Sequence, residues 1–226
     1  MGEKKEQERK QLERYRILYK GGTGEITEKK SRFIACTCPV SSEEEALAFV
    51  EEMRKKYWDA RHHCWAYVIG ERGSQVRCSD DGEPSQTAGK PMLDVLLGAE
   101  VRNICLVVTR YFGGILLGTG GLVRAYQGAA KAGLENSTVV EKQLAEKIRV
   151  TTDYNGVGKI QYLAAQARIM TLESEYTDKV QMVFLAPGAE MERFRSDITE
   201  GTGGRAEIES EGWIYYGMLG REVLLF

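Results

Sequence analysis

The sequence predicts an α+β protein of two domains, and three observations carry that reading. The last stretch, about 75 residues long, follows the order β-α-β-β-α-β, the split-βαβ, ferredoxin-like pattern. Upstream lies Arg110–Tyr126 (RYFGGILLGTGGLVRAY), where a buried strand passes through glycines into a helix. The glycine motifs stop near Thr138, and strand and helix patterns begin again beyond it. The expected division is a charged arm at 1–14, a first domain at 15–140 and a second at 141–226.

The 226 residues are 42% hydrophobic and 28% charged, the composition of an ordinary globular chain long enough to bury two cores. A net charge of -2 gives no general basic footprint, so contact with nucleic acid would have to use a local patch. No apolar run approaches the roughly 20 residues of a membrane span, and the N-terminus lacks a signal-peptide core. The expectation is a cytoplasmic protein without membrane contact. Five cysteines, odd in number and mostly within apolar runs, suit reduced, buried thiols.

In chain order, Met1 to Arg14 is almost wholly polar and has little to pack. Ile17–Tyr19 predicts a short strand, followed by a turn at Gly21, Gly22 and Gly24. Lys30–Pro39 predicts a strand with Phe33 and Ala35 on one face and Ile34 and Cys36 on the other. Ser41 and Ser42 precede Glu44 and Glu45 by three residues, a doubled capping box opening a helix with Ala46, Val50, Met53 and Tyr57 inward. His62–Gly70 is a strand whose Cys64, Ala66 and Val68 oppose His63, Trp65, Tyr67 and Ile69; Glu71–Gln75 reads as a turn. Met92, Val95 and Leu96 mark a helix ending near Gly98. Ile104–Thr109 is apolar on both faces, which predicts a central strand covered on both sides and ended by Arg110. Leu122, Ala125, Tyr126, Ala129 and Gly133 predict a helix from near Thr119 or Gly120 to Leu134. Beyond the boundary the pattern predicts strands at Ala145–Thr152, Met170–Tyr176, Val180–Leu185 and Arg205–Tyr216, with helices at Gly158–Arg168 and Pro187–Thr199.

Two segments carry chemistry. Gly113, Gly114, Gly118, Gly120 and Gly121 free the backbone, and a helix start with open N–H groups attracts anions. Thr119 and Arg124 stand in its first turns, and Arg110 ends the strand before it. Asp80–Pro91 gathers Asp80, Asp81 and Glu83 with Ser85, Thr87 and Lys90. Those carboxylates suit either a divalent ion or a rigid loop hydrogen-bonded beside Arg110 or Arg124, and the second reading is preferred. His62, Cys64 and Cys78 form an incomplete ligand set without CxxC spacing, so neither metal nor cofactor is expected.

Four blocks carry a resemblance: Lys30-Ser-Arg-Phe-Ile-Ala, His63-Cys-Trp-Ala-Tyr, Asp80-Asp-Gly-Glu-Pro-Ser-x-Thr-Ala-Gly-Lys-Pro, and Arg110-Tyr-Phe-Gly-Gly-x-x-Leu-Gly-Thr-Gly-Gly-Leu-Val-Arg-Ala-Tyr. In this order they resemble the IMPACT/YigZ family. The resemblance implies a first domain that is a two-layer α/β sandwich, similar to domain 2 of the fifth small-subunit ribosomal protein. It implies a ferredoxin-like second domain similar to the fifth domain of elongation factor G. Eukaryotic relatives are translational regulators that bind the ribosome-associated activator of a starvation-responsive kinase. Gln86 departs from the pattern, standing where the family usually has glycine.

The leading expectation is a non-enzymatic regulatory or binding protein linked to translation or stress, partnered by the ribosome, RNA or a translation-associated protein. His63, Tyr111 and the residues of the two segments form its candidate binding face, with an anionic ligand at the glycine-rich loop. Trp65, Tyr111 and Phe112 are the candidate stacking groups. The alternative is an enzyme acting on a phosphorylated small molecule, with Asp81 or Glu83 holding a metal and Gly118–Gly121 the phosphate. A third reading is a protein–protein adaptor presenting the ferredoxin-like sheet.

Overall fold

The computed structural model describes residues 14–226. The expected arm lies outside the described residues except for Arg14, which opens the first strand. The first domain begins with strands β1 (Arg14–Lys20), β2 (Thr23–Glu28) and β3 (Ser31–Pro39), then helix α1 (Glu43–Lys56). Strands β4 (His62–Ile69) and β5 (Gln75–Ser79), helix α2 (Gly89–Gly98), and strands β6 (Val101–Arg102) and β7 (Ile104–Tyr111) follow. Helix α3 (Thr119–Glu135) leads into β8 (Thr138–Thr152). The remainder is α4 (Tyr154–Gln166), β9 (Met170–Tyr176), β10 (Val180–Pro187), α5 (Gly188–Thr202), β11 (Glu207–Leu219) and β12 (Glu222–Leu225). Tyr15–Glu141 forms one compact unit, and Lys142–Phe226 belongs to another.

In the first unit an antiparallel sheet runs β2-β3-β7-β4-β5, with β7 at its centre. Alternation along the strands decides the packing. Phe33, Ala35, Cys64, Ala66, Leu106 and Val108 meet α2 and α3 on one face. Ile34, Cys36, Trp65, Tyr67, Cys105 and Val107 meet α1 on the other face. Helix α1 starts where its capping residues predict, with Ser42 Oγ accepting from Glu45 N at 3.2 Å and the Glu45 carboxylate accepting from Ser41 N at 2.6 Å. The Phe33 ring meets the Tyr126 ring edge-on at 5.2 Å. Helix α3 lies close on the sheet because Gly133 faces Ala35; a Cβ there would come within 2.9 Å of the Ala35 methyl. Beside this sheet, β1 pairs in parallel with β6.

The second unit has an antiparallel sheet ordered β9-β10-β8-β11-β12. Helices α4 and α5 cover one face through Ile148, Val150, Ile160, Phe184, Phe194 and Ile198. Asp153 caps α4 by accepting from Gly156 N at 2.9 Å, and Gly203 ends α5 in the left-handed conformation. This is the ferredoxin-like βαββαβ order, extended by β12.

Several element bounds differ from the sequence reading. Gly21 and Gly22 connect β1 to β2 as expected, but Gly24 lies within β2, a strand not read from the sequence, whose hairpin with β3 turns at Lys29 and Lys30, both with positive φ. An edge strand, β5, follows the expected turn; its QVRCS sequence is mostly exposed and gives no apolar alternation to read. Strand β8 starts at Thr138 rather than Ala145. Strand β7 continues past Arg110 to Tyr111 because β3 still pairs with it there.

Candidate functional site

The loop after β5 is built by its own carboxylates. Asp80 Oδ2 accepts from Gln86 N at 2.7 Å, and Oδ1 accepts from Ala88 N at 2.9 Å and Gly89 N at 2.8 Å. Helix α2 has no side-chain cap from its own N-cap residue, so Asp80 supplies the anion its first amides need. Asp81, at positive φ, ties the loop outward, accepting from Arg54 Nη2 at 2.8 Å and from His63 N at 2.7 Å. Thr87 Oγ1 donates to the Pro84 carbonyl at 2.6 Å.

Glu83 points the other way, into the core. Its Oε1 accepts from Arg110 Nη1 at 2.6 Å and from the Tyr126 hydroxyl at 2.8 Å. Arg110 and Glu83 are 8% and 3% exposed at their side chains, so this ion pair joins the acidic loop, β7 and α3 away from water. The guanidinium also lies 5.4 Å from the centre of the Phe33 ring and 5.6 Å from that of Phe112. Cys64 Sγ lies 3.0 Å from the Asp80 carbonyl and 3.3 Å from the Tyr126 oxygen, so its single proton is shared between these two acceptors. Burial, before any neighbour, pushes both the Tyr126 hydroxyl and the Cys64 thiol up, so both stay protonated donors.

His63 is buried and its Nε2 donates to the Tyr57 carbonyl at 3.2 Å. Desolvation is the largest influence on its ring and holds it below the ordinary 6.5. Folding disfavours the charged imidazole, so its contribution is full above the unfolded value and is lost as pH falls from there through the lowered folded value. The urea midpoint is therefore expected to drop as pH falls below the ordinary imidazole value of 6.5. It should drop less in His63→Gln; equal pH profiles would contradict this assignment.

The glycine-rich segment forms the surface over this frame. Gly113 packs against the backbone of Lys30, and its N–H donates to Ser31 Oγ at 3.1 Å. Gly114 and Gly118 have φ of 82° and 72°, which side-chain-bearing residues rarely adopt. The first turn of α3, with Thr119, Gly120 and Gly121, has no side-chain cap. Arg124, Lys29 and Lys30 are exposed, as are Phe112, Ile115 and Leu116, the last by 82%.

The predicted residues thus divide into two sets. His63, Asp80, Asp81, Glu83, Thr87 and Arg110 serve the frame, whereas Ser85, Gly114, Gly118, Thr119, Gly120 and Arg124 face solvent. Gly121 packs on Leu117, and Lys90 pairs with Asp94 at 2.6 Å. Tyr111 donates to Asp59 at 2.7 Å, and its hydroxyl is pushed up to about 12, burial acting first. Trp65, expected as a stacking group, is instead buried against Tyr67 with ring centroids 5.7 Å apart. Gln86, where the resemblance expects glycine, has φ 61°, a conformation glycine adopts more easily. Sequence reasoning missed exposed Ile115 and Leu116; apolar residues bracketed by glycines were the available signal. Among the described residues, no group of three or more His, Cys, Asp or Glu is placed to hold a metal. No described helix is long and apolar enough to cross a membrane.

Fold and site together define a two-domain α+β protein in which an acidic loop braces a glycine-rich strand–loop–helix surface. Residues 29–134 match the Impact N-terminal domain, and residues 150–205 match a domain of unknown function, DUF1949. The IMPACT family member YvyE of Bacillus subtilis (strain 168) is 40% identical over 205 residues, covering 91% of this chain and 94% of YvyE. The IMPACT family member YigZ of Escherichia coli (strain K12) is 40% identical over 182 residues, covering 80% and 89%. A crystal structure of a hypothetical protein aligns with a TM-score of 0.56 at 38% identity, covering 87% of this chain and 96% of that one. The chain belongs to the IMPACT family.

Proposed function

We propose that this protein is a non-enzymatic regulator linked to translation or stress, which binds the ribosome through the surface above the Glu83–Arg110 frame. The observation that carries a binding reading is the use of the carboxylates. Asp80, Asp81 and Glu83 are each committed to internal hydrogen bonds, which supports a scaffold role over acid–base or metal chemistry. Above them, Phe112, Ile115 and Leu116 are exposed beside a helix start without a side-chain cap, with Arg124 one turn further on. Lys29 and Lys30 flank the loop, since the Lys30 backbone touches Gly113. This combination suits stacking or apolar contact with electrostatic attachment to phosphate.

Cosedimentation of the full chain with ribosomes at two salt concentrations tests the proposal. The expected result is binding that weakens as salt rises. It should fall about tenfold or more in Ile115→Ser/Leu116→Ser/Arg124→Ala, with an unchanged melting temperature. Salt-insensitive binding, or full binding by the triple variant, argues against it. The uncapped start of α3 keeps a second reading open, an enzyme for a phosphorylated small molecule. A thermal-shift screen with nucleotides and sugar phosphates, with and without magnesium, separates the two.

A further inference from the structure

The first unit holds a second concavity, made by the C-terminal halves of α2 and α3 together with β1. Its volume is about 760 Å³, within the roughly 300–1,000 Å³ range of small-molecule sites. Val95, Ala99, Leu134 and Val139 line it as half-buried apolar groups. Four charged side chains, Arg16, Asp94, Lys131 and Glu135, line it as well, and all four are exposed.

Two of the four charges, both on α3, are left to solvent. Lys131 and Glu135 stand one helical turn apart, a spacing at which opposite charges commonly meet. Among the described residues, neither has an ion-pair or side-chain hydrogen-bond partner. Arg16 Nη1 donates to the Ala99 carbonyl at 2.9 Å, which fixes the guanidinium at the end of α2 and leaves its other donors for a partner. Asp94 Oδ1 accepts from Lys90, and Oδ2 has no such bond. Arg16 thus compensates the C-terminal end of α2, whereas α3 carries no basic residue in its last turn, so one negative helix end borders the cavity.

We infer that this cavity between α2, α3 and β1 binds a small zwitterion with an apolar body, of the class of amino acids and short peptides with aliphatic side chains. Arg16 and Lys131 receive the carboxylate. Glu135, Asp94 and the C-terminal end of α3 receive the ammonium group, and Val95 and Leu134 pack against the aliphatic part. A ligand with only one charge leaves half of this set without a partner. The inference is independent of ribosome binding, because it uses none of the residues around the glycine-rich loop.

Gly98 offers a clean test. It lines the cavity, and a Cβ added there meets nothing within 4 Å, so a side chain enters open space. Gly98 is also the last residue of α2, where replacing glycine carries no packing clash. The probes are leucine and leucyl-leucine, with N-acetyl-leucinamide as the uncharged control, read by calorimetry and melting temperature on the full chain. Binding is expected for one or both zwitterions and not for the control. Gly98→Leu should abolish it while keeping the unliganded melting temperature. Lys131→Gln/Glu135→Gln should weaken it at least about tenfold. Absence of binding by both zwitterions, equal binding of the control, or undiminished binding in Gly98→Leu would each overturn the inference.

Discussion

Replacing Glu83 by alanine is expected to destabilise the first domain by about 3–5 kcal/mol, the range for removing one partner of a buried ion pair. The cost arises because Arg110 remains charged in a site where its side chain is 8% exposed and its Nε already lacks a partner. The Tyr126 hydroxyl also loses its acceptor. Arg110→Met should be destabilising by itself for the mirror reason, leaving the Glu83 carboxylate with only the tyrosine donor. The double variant Glu83→Leu/Arg110→Met should be much closer to the natural protein than the sum of the single losses, since neither charge is then buried alone. Urea melts of the four proteins give the coupling, and amide exchange in β4 and β7 assigns it to the first unit. Additive losses would show that the pair is not the element holding loop, strand and helix together.

The second large effect is at Asp80. Asp80→Ala removes one carboxylate that serves three backbone amides, those of Gln86, Ala88 and Gly89. Ala88 and Gly89 are buried, so water replaces those bonds poorly, and a loss of about 2–4 kcal/mol is expected. Asp80→Asn keeps one acceptor oxygen and turns the other into a donor facing an amide, so it should recover only part of the loss. The readout is faster exchange of the three amides together with a lower melting temperature. Protection that stays unchanged in Asp80→Ala would remove the carboxylate from its assigned role as the external cap of α2.

Both effects concern residues that sequence reasoning marked as a binding face. The acidic loop and Arg110 stood out because charges and glycines are dense there, and density of that kind marks a ligand site and a braced loop equally well. Asp80 illustrates the ambiguity. Its neighbours in sequence say that it lies in a tight loop, but which amides it faces depends on how the chain returns at Ala88. Trp65 illustrates a different failure. Its strand alternation was legible and its face correctly grouped with Tyr67, yet that face is covered by α1, so the aromatic ring is core. Leu116 is the converse case, an apolar side chain to which sequence reasoning gave no role and which the fold leaves in solvent.

What the sequence determined by itself is everything that local periodicity and capping encode. The two faces of β3 and β4, the capped start of α1, the glycine-rich entry into α3 and the βαββαβ order of the second unit all follow from residues within a few positions of each other. Tertiary structure alone decided which charges are buried and which remain available. Glu83 and Arg110 are 27 residues apart, and Glu83 and Tyr126 are 43 apart. Their pairing requires strand β7 and helix α3 to bring both donors to one carboxylate and exclude water from it. Desolvation is a property of that assembled packing, and it turns residues expected at the glycine-rich surface into the frame beneath it.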